Sequence, residues 1–163
     1  IDLDFHTIDF FNFVRKRDEN INIAISDTEG EKDLYFFHNR SALNSLSEFR
    51  KKEAKEIRKI KTKTLNSVFE NSKFKNEKIN LISIDVEGLE IEVLKSFNLE
   101  KYAPEMVVIE FLDKDLINNM EFHNQNISAI LNSEIYKHMI KNNYNFVNWL
   151  HSDLIFVHNS IRK

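Results

Sequence analysis

The chain has 163 residues, of which 42% are hydrophobic and 30% charged, so it is long enough to bury the core of one domain. It contains no cysteine, which excludes disulfide bonds, a thiolate zinc site and a cysteine nucleophile and fits a reducing compartment such as the cytoplasm. The net charge of -3 argues against a nucleic-acid-binding protein. No apolar run reaches the length of about 18 residues that a membrane span needs, and no signal-peptide pattern opens the chain, so we predict neither.

Glycine and proline are scarce in this chain. The sequence has two glycines, Gly30 and Gly88, and one proline, Pro104. Tight phosphate-binding and nucleotide-binding loops need the backbone freedom of glycine, so the sequence predicts no glycine-rich cofactor loop. The chain begins at Ile1, within an alternation typical of a strand, and we expect further residues to precede it.

Three strands and one helix are predicted in the first forty residues. Apolar and acidic residues alternate in residues 1–4, and an apolar face follows with Thr7 as candidate N-cap, which predicts a strand and then a helix. Isoleucines at every second position predict a strand over residues 21–25. Turn-forming residues at 27–30 then lead to a strand over residues 34–37, which we expect to return as a hairpin.

The most basic window runs from Arg50 to Lys63, where eight Lys or Arg residues stand against two Glu. One interpretation is a solvated helix or edge strand, since charge runs usually face water. The alternative is a rim that attracts an anionic acceptor such as a phosphorylated sugar. A short helix is predicted after it, over residues 65–70.

The second half predicts a strand, helix, strand unit and a closing strand pair. The apolar run 79–85 predicts a buried strand, and a helix and a second buried strand at 106–109 follow, which is the pattern of a parallel crossover. Residues 111–132 predict a loop with an uncertain helix. A helix at 135–140 and two strands at 144–149 and 154–157 complete an α/β chain.

Acidic side chains follow the predicted strands of this α/β sheet. Asp2 and Asp4 end the first, Asp85 and Glu87 follow the run 79–85, and Glu110 ends the strand after Pro104. Ligands of open parallel sheets collect beyond the carboxyl ends of the strands, and an acid there can accept hydrogen bonds from a ribose diol.

The last three of these acids leave several functions open. Asp85, Glu87 and Glu110 could share a metal ion, serve as a general base or hold a cationic ligand. Each acid taken alone could instead be a helix cap or a solvated loop residue, and Asp85 in particular could cap the helix that follows it. Three acids at neighbouring strand ends are less readily explained as caps.

The segment ISIDVEGLEIEVLKSFNLEKYAPEMVVIEF (residues 82–111) resembles the FkbM family of S-adenosylmethionine-dependent methyltransferases. That family has a D-V-E-G-x-E-x-x-V-L motif, then a proline and a strand that ends in I-E or V-E. The matching residues here are Asp85, Val86, Glu87, Gly88, Glu90, Val93, Leu94, Pro104, Ile109 and Glu110. The resemblance extends to residues 1–15, 21–37 and 135–157, so we expect one such domain over residues 1–163.

The resemblance implies a class I methyltransferase fold, which is a Rossmann-like sheet with a C-terminal antiparallel strand pair. It also implies S-adenosylmethionine as cofactor and methyl transfer to a hydroxyl of a sugar, glycolipid or other small-molecule acceptor. On the cofactor side, Asp4 would bind the ribose hydroxyls, with Asp2 as its nearest competitor, and residues Ala24 to Ser26 would lie near the adenine. Asp85 would lie near the methyl donor or the acceptor hydroxyl, and Glu87 and Glu110 would shape that pocket. Asp85 or Glu110 would be the base that takes the proton of the hydroxyl, with Asp85 favoured.

Some expectations depart from this scheme. The family's first strand and its glycine-rich loop are absent, so we expect the domain to be incomplete before Ile1. One rival is a noncatalytic module that kept the fold and binds glycans through Arg50 to Lys63. A second rival is a metal-dependent transferase that uses the three acids Asp85, Glu87 and Glu110. The acceptor pocket is expected in the variable loops 40–47 and 112–133.

Overall fold

A computed structural model describes residues 1–38, 44–48, 51–111 and 126–161 of the chain. The chain divides into two compact units, each of which is described by itself. The first unit comprises Ile1–Glu77 with Glu87–Phe97, and the second comprises Lys78–Val86 with Asn98–Lys163. Each unit contains its own β-sheet, one of three strands and one of four. In the described part of the chain, no helix is long and apolar enough to cross a membrane.

Helices and strands follow each other along the chain. The helices are α1 (Phe5–Val14), α2 (Leu65–Asn71), α3 (Glu90–Lys95), α4 (Leu99–Tyr102), α5 (Ile127–Asn132) and α6 (Glu134–Lys141), and a 3₁₀ turn covers Asn159–Ile161. The strands are β1 (Ala24–Ile25), β2 (Gly30–Phe36), β3 (Glu56–Lys63), β4 (Leu81–Ile84), β5 (Met106–Glu110), β6 (Tyr144–Leu150) and β7 (Asp153–His158).

The sheet of the first unit has the strand order β1-β3-β2. β3 is parallel to β1 and antiparallel to β2, so the predicted hairpin between residues 21–25 and 34–37 is wrong. The reason is that β1 spans two residues, whereas β3 offers β2 a register of seven pairs from Gly30 to Phe36. A pairing partner more than twenty residues further along the chain is invisible to a local pattern.

The predicted N-terminal strand is reduced to a single parallel bridge between Asp2 and Asn22. The amide of Asp2 donates to the carbonyl of Ile21 at 3.1 Å, and the amide of Ile23 donates to the carbonyl of Asp2 at 3.2 Å. The Asn22 side-chain amide also donates to the carbonyl of Leu3 at 2.9 Å. Residues 1–4 and 21–25 are therefore neighbours, which was not predicted from the sequence.

In the basic window, residues Glu56–Lys63 form a strand, so the predicted helix is wrong there. Thr62 and Lys63 pair with β1, and the rest of the strand has β2 as its described neighbour, which agrees with the predicted edge strand over most of its length. The first residue of the window, Arg50, lies outside the described residues. Most side chains of β3 are exposed, as the solvated interpretation of the basic window predicted. The Lys59 ammonium pairs with the Asp33 carboxylate at 2.6 Å, and the Arg58 guanidinium stacks on the Phe36 ring.

The sheet of the second unit has the order β4-β5-β7-β6. β4 and β5 are parallel, and β7 is antiparallel to both β5 and β6. The predicted parallel pair and the predicted C-terminal antiparallel pair are thus confirmed. Val107, Ile109, Leu154 and Phe156 are fully buried in this sheet, because alternate residues of neighbouring strands share one face.

Helix α6 covers this apolar face of the second sheet. Met139 on α6 is fully buried, and the Tyr136 ring contacts the rings of Phe146 and Phe156. The Tyr144 hydroxyl donates to the carbonyl of Pro104 at 2.7 Å, which connects the start of β6 to the chain before β5. The helix predicted at residues 135–140 is confirmed.

Mixed sheets with intervening helices agree with the predicted α/β class. The Rossmann-like arrangement and the single domain over residues 1–163 stay predictions. Of the predicted loop 111–132, residues 126–132 are described and contain α5, while residues 112–125 lie outside the described part. Of the predicted acceptor loops 40–47 and 112–133, residues 40–43 and 112–125 lie outside the described part.

Candidate functional site

Two of the predicted acids lie side by side at one edge of the second sheet. Asp85 directly follows β4, and Glu110 is the last residue of β5. The register pairs Ile84 with Ile109, so the next residues along the two parallel strands are neighbours. One carboxylate oxygen of Asp85 lies within 4.8 Å of one of Glu110.

A third acid, Asp153, belongs to the same row and was missed in the sequence. It is the first residue of β7 and pairs in register with Glu110. An antiparallel strand enters a sheet at the edge where the parallel strands leave it, so its first residue lies beside their last residues. The turn at residues 151–153, followed by a strand, was the signal that could have identified Asp153.

The carboxyl group of Asp85 has a raised pKa. The main cause is desolvation, which disfavours the charged form, and the negative charge of Asp153 adds to it. The residue keeps an exposed surface, so the group can exchange protons with solvent. Asp85, Glu110 and Asp153 therefore form a row of acids, called the acid row below, in which Asp85 is a better proton acceptor than an ordinary aspartate.

The motif turn that contains Glu87 and Gly88 has an unusual backbone. Glu87 has φ +58° and Gly88 has φ +105°, both in the region that L-residues other than glycine rarely occupy. The Gly88 amide donates to the Glu90 carboxylate at 2.9 Å, and the Ser45 hydroxyl donates to the Glu87 carbonyl at 2.7 Å. The turn therefore uses the conformational freedom that glycine has at residue 88.

Asp85 does not cap the helix that follows the motif turn. Helix α3 begins at Glu90 with Leu89 as its N-cap residue, and no side-chain hydrogen bond caps this end of the helix. Glu90 is buried, with 5% of its surface exposed, because its carboxylate folds back onto the Gly88 amide. The capping alternative for Asp85 is therefore wrong, and it is Glu90 whose carboxylate accepts a backbone amide of the motif turn.

Asp4, the predicted ribose ligand, is the N-cap residue of α1. Its two carboxylate oxygens accept the His6 amide at 3.1 Å and the Thr7 hydroxyl at 3.0 Å, so Thr7 is not the N-cap that the sequence predicted. Asp2 accepts the Asp4 amide at 2.7 Å. A carboxylate has about four acceptor positions, so these bonds are compatible with further hydroxyl ligands on Asp4.

Ala24 and Ser26, predicted to lie near the adenine, are buried where β1 meets β3. Ala24 is 6% exposed and Ser26 is fully buried. The Ser26 amide donates to the Lys63 carbonyl at 2.9 Å, and its hydroxyl donates to Asp27 at 3.0 Å. The structure thus gives both residues a packing role, and their contact with adenine stays a prediction.

Residues 5–145 match the family model described as the methyltransferase FkbM domain. The chain belongs to this family. No curated protein and no solved structure matches the chain. Membership in the FkbM family supports methyltransferase activity in general, and it confirms the resemblance identified from the D-V-E-G motif.

The FkbM match includes some of the site residues and leaves out others. Asp85, Glu87 and Glu110 lie within the matched range, and so do Ala24 and Ser26. Three further acids named above fall outside it. These residues are Asp2, Asp4 and Asp153. The roles of these three therefore depend on their own geometry.

Proposed function

We propose that this FkbM-family protein transfers a methyl group from S-adenosylmethionine to a hydroxyl of a small-molecule or glycan acceptor. The observation that carries the proposal is the family match over residues 5–145, which includes the D-V-E-G motif. The acid row adds support, because Asp85 is both a member of this row and the first residue of the motif. In this proposal, S-adenosylmethionine carries the methyl group on a positively charged sulfur and supplies it to the acceptor.

The residues of the first unit are suited to hold the cofactor. Asp4 and Asp2 accept the ribose hydroxyls in this proposal, because carboxylates accept two hydrogen bonds from a diol. Ala24 and Ser26 lie near the adenine, and Glu87 borders the same pocket. These acids fit the cofactor because their carboxylates accept hydrogen bonds, which the two hydroxyls of the ribose can donate. Their negative charge also suits the positive charge of the sulfonium group.

In this proposal Asp85 removes the proton of the acceptor hydroxyl. Methyl transfer to an alcohol is a direct displacement, so the oxygen must lose its proton as its new bond to carbon forms. The raised pKa of Asp85 makes its carboxylate a stronger base than that of an ordinary aspartate. Glu110, whose carboxylate lies within 4.8 Å, is the nearest alternative base, and the negative charge of the acid row attracts a cation.

The proposal is tested by calorimetric titration of S-adenosylhomocysteine, the demethylated cofactor, into the protein at its natural length and into the chain starting at Ile1. Asp4→Asn provides the sharpest variant, because asparagine also caps helices while it lacks the negative charge. Asp9→Asn is its matched control, since Asp9 is an exposed acid on the same helix. We expect Asp4→Asn to weaken binding and Asp9→Asn to leave it unchanged.

Binding of the demethylated cofactor by neither form of a folded protein would refute the proposed function. That result would favour the alternative of a noncatalytic module that kept the fold and does not bind the cofactor. A chelator that abolishes turnover would instead support the metal-dependent alternative. Equal weakening by Asp4→Asn and Asp9→Asn would remove Asp4 from the cofactor site and leave the activity standing.

A further inference from the structure

Ser45 is a buried residue between two stretches of chain that are far apart in sequence. It is 2% exposed and forms an isolated antiparallel bridge with Tyr35 of β2. The Tyr35 amide donates to the Ser45 carbonyl at 2.8 Å, and the Ser45 amide donates to the Tyr35 carbonyl at 3.3 Å. The backbone of Ser45 is thereby fixed to the first sheet.

The side chain of Ser45 reaches the motif turn. Its hydroxyl donates to the Glu87 carbonyl at 2.7 Å, across 42 residues of sequence, and accepts the Ser47 amide at 3.0 Å. Ser47 itself lies against the turn, since a Cβ atom at Gly88 would be 3.3 Å from the Ser47 hydroxyl oxygen. Residues 45 and 47 therefore hold the backbone of Glu87 and Gly88 from one side.

The bond to Glu87 acts at a residue whose conformation is unfavourable without support. Glu87 has φ +58°, and a residue with a side chain keeps such a conformation only where its surroundings enforce it. The backbone angles of Glu87 set the direction in which its carboxylate leaves the turn. A group that fixes this carbonyl therefore also fixes the orientation of the Glu87 side chain.

We propose that Ser45 is a positioning residue of the cofactor site, which acts by holding the Glu87 carbonyl and with it the left-handed turn of the D-V-E-G motif. This inference rests on the proposed function, which places Glu87 in the cofactor pocket. It also gives Ser45, predicted from sequence to lie in the acceptor loop 40–47, a role on the cofactor side. Ser45 touches neither reacting group and acts through Glu87.

Ser96 offers a control with the same hydrogen-bonding pattern. Its hydroxyl donates to the Val93 carbonyl at 2.7 Å and accepts the Leu65 amide at 3.0 Å. Like Ser45, it lies in the first unit, but it connects the end of α3 to the start of α2. Loss of the Ser96 hydroxyl removes the same two types of bond without touching the motif turn.

The test compares Ser45→Ala, Ser45→Thr and Ser96→Ala with the parent protein at its natural length, by calorimetric titration of S-adenosylhomocysteine and by thermal unfolding. We expect Ser45→Ala to weaken binding by about tenfold, from the loss of one buried hydrogen bond at the site. Ser45→Thr keeps the hydroxyl and restores binding. Ser96→Ala lowers Tm by as much as Ser45→Ala and leaves the affinity within about twofold, which separates positioning from stability.

The outcomes distinguish this inference from the proposed function. If the parent protein binds and Ser45→Ala binds equally well, the positioning role of Ser45 is overturned while the cofactor site stands. Equal weakening by Ser45→Ala and Ser96→Ala, or a folded Ser45→Thr that binds like Ser45→Ala, overturns it as well. If Ser45→Thr does not fold, the comparison of the two alanine variants decides. If the folded parent protein does not bind, the proposed function fails and this inference fails with it.

Discussion

The clearest quantitative prediction concerns Gly88, because its backbone and its surroundings both disfavour a side chain. Its φ of +105° lies outside the ordinary left-handed region, and a residue with a Cβ atom is strained there by about 1 to 3 kcal/mol. A Cβ atom would also lie 3.3 Å from the Ser47 oxygen and 3.4 Å from the Ser47 Cβ, which is close but not a severe clash. The strain of the backbone is therefore the larger part of the cost.

Gly88→Ala should lower the free energy of unfolding by about 2 kcal/mol, and Gly88→Val should lower it further because its Cβ is branched. For a chain of this length, about 2 kcal/mol corresponds to a fall in Tm of about 4 to 8 °C. The measurement is thermal unfolding by circular dichroism, with chemical denaturation to obtain the free energy.

Two further variants separate backbone strain from contact. Gly30 has φ +143° with nothing within 4 Å of an added Cβ, so Gly30→Ala reports strain in open space. Ser47→Ala combined with Gly88→Ala removes the contact with the Ser47 oxygen and should recover only a small part of the loss. A Tm of Gly88→Ala within 1 °C of the parent value would refute this account of the turn.

Three predictions on single groups can be tested in the same protein. The pKa of Asp85 is raised above its ordinary value of 3.8, so its ionisation makes the folded state less stable as the pH rises through that raised pKa. Asp85→Asn should therefore raise Tm at pH 7 but not at pH 3. The same variant should lower turnover. Asp153→Asn should lower the pKa of Asp85 and move the acid limb of the pH–rate profile to lower pH, and an unmoved limb would contradict the proposed base. Tyr144→Phe removes the buried bond to the Pro104 carbonyl and should cost about 1 to 2 kcal/mol in the free energy of unfolding; an unchanged denaturation midpoint would show that this carbonyl finds another partner.

The elements predicted best are those whose pattern is local and strongly apolar. The runs that form β4 and β5 were recognisable because they are almost continuously apolar, and the parallel pair was confirmed. The prediction that the first run is a buried strand was wrong for most of β4, in which Ile84 is buried while Leu81 and Ser83 are exposed, since β4 lies at the end of the strand order of its sheet. The closing pair β6 and β7 was recognisable from two apolar runs joined by a short turn. The basic window was predicted less well, since its charges left a helix and an edge strand open, and its strand pairs with β1 at Thr62 and Lys63 as well as with β2.

The candidate site was predicted as far as single residues allow. Asp85 and Glu110 were expected together because parallel strands end at one edge of a sheet, and the structure places their carboxylates within 4.8 Å. Asp153 was missed because it follows a turn, where an acid is common without a function. The cap of α1 was misplaced by three residues, since Asp4 and Thr7 both precede an apolar face and the hydrogen bonds alone distinguish them.

The sequence by itself determined that this chain is an α/β member of the FkbM family, because motif and periodicity are written in neighbouring residues. The tertiary structure decided which distant residues meet. It placed β3 between β1 and β2, Asp153 beside Glu110 and the Ser45 hydroxyl on the Glu87 carbonyl. Such contacts depend on how the whole chain satisfies its buried hydrogen bonds and apolar surface at once, and no short stretch of sequence contains that information.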